Sequence, residues 1–192
     1  LDPSLHRWIA DQAGPTPADA VVEVGVGLGF LTRELAPRAG QVLAVEIEPR
    51  LLAIARRELA EHDHVQWVEG DALGGPGRTL LPAIGAFARA AQGRLLVVAN
   101  LPYSVSGPVL AGFAQLERLP DRVVVLVQKE LAQRLVAGPG TSAYGGLGAL
   151  LQCLFEVRSL RDVPPTVFRP RPKVGSAIVA LDRRADLAAA LA

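Results

Sequence analysis

The run "EVGVGLGFLT", Glu23 to Thr32, passes from valine-rich sequence into three glycines spaced two apart, and then into an apolar segment. A buried strand joined to a helix through a glycine loop reads this way, because glycine lets the backbone turn sharply and approach a ligand closely. The neighbouring segments repeat the alternation. "QVLAVEIE" predicts a second strand, "PRLLAIARRELAEH" a helix with Pro49 in its first turn, and "VQWVEGD" a third strand. "LLPAIGAFARAAQ" follows as a weaker helix. "RLLVVAN" and "RVVVLVQ" are near-continuous apolar runs, as expected of central parallel strands covered on both faces. A helix at "KELAQRLVA", a glycine-rich loop "GPGTSAYGG", a helix through "LGALLQ" and two last strands at "CLFEVRSL" and "SAIVALDRR" complete the order. The expectation is a doubly wound α/β sheet. After the glycine loop, "FLTRELAPRA" is expected to be helical, with Phe30, Leu31 and Leu35 on one face.

Composition narrows the class. The chain has 192 residues, half of them hydrophobic and a fifth charged, enough for one medium domain with its own core. Its longest apolar runs are strand-sized, and no secretory pattern is visible, so a cytoplasmic protein without membrane partners is expected. A single cysteine, Cys153, excludes an internal disulfide framework, and its apolar surroundings predict a buried residue. His6, His62 and His64 show no metal-ligand spacing and are expected at the surface; no metal is predicted. The net charge of +1 does not announce a nucleic-acid binder, and the cations are nearly all arginine, with lysine only at Lys129 and Lys173. A start at Leu1 and the lack of methionine suggest a processed or trimmed product. A monomer is the default expectation.

Three polar strand ends fall at one rim. Gly25, Gly27 and Gly29 follow the first strand, Glu46 ends the second and Asp71 follows the third. Ligands in such sheets bind outside the carboxyl ends of the strands, and an acid about twenty residues beyond the glycines commonly holds ribose hydroxyls. The spacing G-x-G-x-G departs from the dinucleotide G-x-G-x-x-G and disfavours a nicotinamide cofactor. The fourth strand ends in "NLPY", Asn100 to Tyr103, which combines an amide, a stiffened turn and an aromatic face.

This layout resembles the S-adenosylmethionine-dependent methyltransferases. The resemblance implies a Rossmann-like, mostly parallel seven-stranded sheet with one antiparallel strand and helices on both faces. It also implies S-adenosyl-L-methionine as cofactor, with the methionine part and ribose beside Gly25, Gly27 and Gly29. Glu46 would grip the ribose hydroxyls, Asp71 would receive the adenine amine, Ala72 would lie beside the adenine, and Asn100 would also border the cofactor. "NLPY" is similar to the turn of enzymes that methylate exocyclic amino groups of bases. There Asn100 and the carbonyl of Leu101 would accept the two N6 hydrogens of adenine, Pro102 would pre-organise them and Tyr103 would stack on the flipped base.

Within that class, "LDPSLHRWI", "EVGVGLGFLT", "VEIEPRL", "EGDAL", "ANLPYSVSGPVL", "VQKELAQRLVAGPGTSAYGGLGALLQ" and "FRPRPKVGSAIVAL" together resemble the ribosomal RNA adenine N6-dimethyltransferases, and the "QKELAQRL" block resembles their small-subunit branch. That resemblance implies dimethylation of two adjacent adenosines near the 3′ end of small-subunit rRNA within a pre-ribosomal particle. Phe168 would face Tyr103 across the base, and Arg169, Arg171 and Lys173 would hold flanking phosphates. Large-subunit rRNA methylation, of the kind that confers macrolide-type resistance, is the alternative. An alternative of another class is a non-catalytic RNA-binding assembly or transcription factor on the same fold. The sequence departs from the family at Ser104, Gly107 and Gly175, where asparagine, threonine and aspartate are usual. The expected domain is residues 1–184, lacking an N-terminal cofactor-covering segment, with 185–192 as the start of a truncated helical domain. These absences are expected to weaken cofactor binding and methylation.

Overall fold

The computed structural model describes residues 2–184. Seven strands, β1 (Ala20–Val24), β2 (Gln41–Glu46), β3 (Val65–Glu69), β4 (Leu95–Asn100), β5 (Arg122–Gln128), β6 (Phe155–Val163) and β7 (Ser176–Arg183), form one sheet in the order β3-β2-β1-β4-β5-β7-β6. β1 to β5 run parallel, while β7 pairs antiparallel with both β5 and β6. The order reverses between β1 and β4, so the crevice for ligands opens at their carboxyl ends.

Alternation along the strands builds two cores. Val22, Val24, Val97, Ala99, Val123 and Val125 face α4 (Pro82–Ala90), α5 (Ser106–Phe113), α6 (Lys129–Val136) and α7 (Gly146–Leu154). Val21, Leu96, Val98, Val124 and Leu126 face α1 (Pro3–Ala13), α2 (Thr32–Leu35) and α3 (Pro49–Glu58). Apolar residues on both faces account for the unbroken apolar runs of β4 and β5.

Four local expectations are corrected. The segment after the glycine loop is helical only over Thr32–Leu35, and Phe30 is half exposed rather than packed with Leu31 and Leu35. Cys153 is exposed: "LGALLQCL" stays helical through Leu154, and 3.6-residue periodicity turns Leu151 inward and Cys153 out. The strand expected from Cys153 therefore begins at Phe155. His6 is not at the surface; it is 7% exposed and stacks on Phe30 with ring centroids 5.9 Å apart. His62 and His64 are half-buried, and His64 Nε2 lies 2.8 Å from the Ala36 carbonyl. The expected start of a further domain at 185–192 lies outside the described residues.

Candidate functional site

The strand ends converge on two adjoining cavities. The first, about 300 Å³, is lined by Gly25 and Gly27, by Glu46 and Ile47, and by Gly70, Asp71 and Ala72, with Pro102, Ser104 and Val105 closing one side. The second, about 320 Å³, is lined by Asn100, Leu101, Pro102, Tyr103, Phe168, Pro170 and Pro172. Pro102 belongs to both.

The glycine loop is shaped by close approach. Gly25 has φ 77°, and a Cβ there would lie 3.3 Å from Pro102 Cδ, so the loop and the Asn100–Tyr103 turn meet face to face. At Gly27 a Cβ would meet nothing within 4 Å, which leaves its backbone open to the cavity. Gly29 does not line the cavity. A Cβ there would sit 3.0 Å from Ala55 Cβ, so this glycine lets the loop pack on α3.

The two rim acids are held by main-chain donors. Glu46 is buried; its Oε2 accepts from Gly27 N–H (2.7 Å) and its Oε1 from Glu48 N–H (2.9 Å). Each carboxylate oxygen keeps a further lone pair for a ligand. Asp71 is fixed by an Asx turn, Oδ1 accepting from Leu73 N–H at 2.9 Å. An open glycine backbone beside a pinned carboxylate, with a second acid across an apolar floor of Val24, Val45 and Ala72, fits a nucleoside-bearing cofactor.

The turn after β4 is clamped from three sides. Leu101 N–H donates to the Leu126 carbonyl (3.2 Å), the Pro102 carbonyl accepts from Val105 N–H (3.1 Å) and Ser106 Oγ (2.9 Å), and Tyr103 Oη lies 2.6 Å from Ser176 Oγ. Among the described residues, neither the Asn100 amide nor the Leu101 carbonyl has a hydrogen-bond partner. Asn100 lines the second cavity and not the first. Tyr103 and Phe168 line the same cavity, both partly buried. Past Phe168 the prolines of "FRPRPK" line the cavity while Arg169, Arg171 and Lys173 alternate with them and are exposed.

Several site residues escaped the sequence reading. Ile47 is 63% exposed yet lines the first cavity; an apolar residue directly after the strand-ending acid was the available signal. Pro170 and Pro172, given no role in that reading, line the second cavity. Glu23 opens the quoted run but was given no role. It is 1% exposed on the α2 side of the sheet, and burial pushes its carboxyl up to about 8, with the nearby Glu46 adding to the effect. Among the described residues, Glu23 Oε2 and the buried Thr32 Oγ1 have no hydrogen-bond partner.

Comparison with known proteins follows the same lines. A profile of the family described as "Ribosomal RNA adenine dimethylase" matches residues 1–191. The chain is 41% identical over 185 residues to a "Ribosomal RNA small subunit methyltransferase A" of Geobacillus thermodenitrificans, covering 96% of this chain and 61% of that protein. A protein of the same name from Synechococcus sp. is 42% identical over 194 residues, covering 95% and 64%. The chain thus spans about three-fifths of the length of the curated relatives it matches. Among solved structures, a dimethyladenosine transferase from Plasmodium falciparum superposes with a TM-score of 0.84 at 27% identity, over all of this chain and 64% of the other. The 23S rRNA methyltransferase ErmE superposes with a TM-score of 0.76 at 31% identity, over 96% and 69%.

Proposed function

The chain belongs to the ribosomal RNA adenine dimethylase family, and from that premise we propose that it transfers methyl groups to N6 of adenosines in small-subunit ribosomal RNA. The observation that carries this reading is the junction of the two cavities, where two unengaged acceptors, Asn100 and the Leu101 carbonyl, border an aromatic-walled chamber beside Pro102. S-adenosyl-L-methionine in the first cavity would supply an electrophilic methyl carbon. Glu46 would hold its ribose hydroxyls, Asp71 its adenine amine, and the backbone of Gly25 and Gly27 would lie along it.

The chain's own residues then address a poor nucleophile. The lone pair of adenine N6 is delocalised into the ring. Acceptance of both N6 hydrogens by Asn100 Oδ1 and the Leu101 carbonyl draws the nitrogen towards tetrahedral geometry and turns its lone pair towards Pro102 and the first cavity. The clamps on the turn place these acceptors before substrate arrives, so little reorganisation is needed. Tyr103 and Phe168 sandwich the flipped base and exclude water from it. Arg169, Arg171 and Lys173 stand outside the chamber, where flanking phosphates would pass. The amine loses its extra proton after transfer, so no strong base is required at the site.

Small-subunit rRNA, carried in a pre-ribosomal particle, is favoured over large-subunit rRNA because relatives named for the small subunit are about 41% identical, against 31% for ErmE. Action in the cytoplasm as a monomer belongs to the same proposal. No described helix is long and apolar enough to cross a membrane. The test is a single-turnover incubation of excess protein with labelled S-adenosylmethionine and unmodified rRNA of each subunit, followed by nucleoside mass spectrometry. Dimethyladenosine in the small-subunit RNA is expected. Label confined to large-subunit RNA would reassign the substrate, and none in either would overturn the proposal.

A further inference from the structure

The hydroxyl of Ser176 lies 2.6 Å from that of Tyr103, although 73 residues separate them in sequence. Ser176 is fully buried and is the first residue of β7, paired to Gln128 of β5 on one side and to Val163 of β6 on the other. The pairing with Val163 closes the base of the segment 164–175, which carries Phe168. Next to it, the Gly175 carbonyl accepts from Lys129 N–H at 3.0 Å, so the residue before Ser176 is also held. Tyr103, by contrast, stands on a turn, is only partly buried and lines the chamber. Among the described residues, its one side-chain hydrogen bond is the one between its hydroxyl and that of Ser176.

We propose that Ser176 is the positioning residue that sets the width of the slot between Tyr103 and Phe168. The reasoning is geometric. A tyrosine ring rotates about χ1 and χ2, and packing against one face leaves it free to swing towards the chamber. A hydrogen bond at its far end removes that swing, because the partner is a short side chain anchored in two strand pairings. Since the same residue closes the loop bearing Phe168, both aromatic walls are referenced to one point of the backbone. Serine suits the position: it reaches the phenol from a fully buried site and carries a hydroxyl able to donate or accept.

This inference rests on the proposed function for its kinetic consequence but not for its geometry, and two measurements separate them. The chain has two tyrosines, Tyr103 and Tyr144, so ring-labelled tyrosine gives two NMR signals. Ser176→Ala and Tyr103→Phe should each lower kcat about three- to tenfold, the loss expected of one hydrogen bond. KM for S-adenosylmethionine should be unchanged, the double variant should be no slower than either single one, and Ser176→Thr should restore the rate. Ser176→Ala should also shift or broaden the Tyr103 ring signal and leave Tyr144 where it was. Additive losses, or a lowered melting temperature with kcat intact, would overturn the assignment. Should the unmodified chain transfer no methyl group, the functional reading falls and the tie is judged by NMR, where an unmoved Tyr103 signal refutes it.

Discussion

Replacing Glu23 with glutamine should stabilise the protein at neutral pH, and the gain follows from where that carboxyl sits. In the unfolded chain it ionises near 4.5, whereas burial holds it protonated to about 8 in the fold. Between those values the folded state binds more protons than the unfolded one, so stability falls as pH rises through the window. By about pH 7 the loss amounts to roughly 3 kcal/mol. Below about pH 4 both states are protonated and the penalty vanishes. His6 acts in the opposite sense. Burial pushes its imidazole down from 6.5 to about 4, so the unfolded chain binds more protons there and stability rises with pH across that range. The two slopes oppose each other between about 4.5 and 6.5, and only that of Glu23 remains between 6.5 and 8. From these two groups the unmodified protein should show nearly level stability between about pH 4.5 and 6.5 and then decline. Glu23→Gln should rise over the lower range and hold level above it. Urea denaturation of both proteins from about pH 4 to pH 8 reads this directly, and the difference between them cancels every group except residue 23. A difference that stays constant with pH, or a variant less stable than its parent near pH 7, would refute the buried-carboxyl account.

Three further outcomes bear on the site. Asn100→Ala should reduce single-turnover methylation about tenfold or more while the melting temperature holds, since one N6 acceptor is lost; an unchanged rate would contradict the proposed role. Glu46→Ala should weaken S-adenosylmethionine binding by about 1–3 kcal/mol in calorimetry, because a charge-assisted contact disappears along with the anchor on Gly27; unaltered affinity would remove its ribose assignment. Phe168→Ala should weaken binding of adenine-containing RNA by about 1–3 kcal/mol, the worth of one stacked base, with cofactor affinity retained; the reverse pattern would place Phe168 in the core instead.

The sheet was legible because its strands declare themselves one at a time. Continuous apolar runs at β4 and β5 need cover on both faces, and acids or an amide at the ends of β2, β3 and β4 lie on one rim of any parallel sheet. Readings that depended on which way a side chain turns fared worse. Leu147–Phe155 is apolar but for Gln152 and offers no break, so the helix-to-strand change was expected two residues early, at Cys153, and with that the exposure of Cys153 was missed. Phe30 follows a glycine loop whose path is set by contact with Ala55, not by helical phase. The first helix did carry its signals, with Asp2 capping Ser4 N–H, Pro3 in the first turn and Gly14 at φ 57°, and these went unread. The Tyr103–Ser176 bond and the burial of His6 join residues far apart in the chain, and no local rule anticipates such meetings.

Pro102 is a party wall. Its ring stands between two chambers and rests against a glycine that has no side chain to yield. Space added on one side of that ring is therefore space taken from the other, so a bulkier residue at 25 would press on the tenant of the aromatic chamber without ever touching it. On the proposed function, methyl donor and acceptor would meet beside that ring and not through it, where the two cavities join.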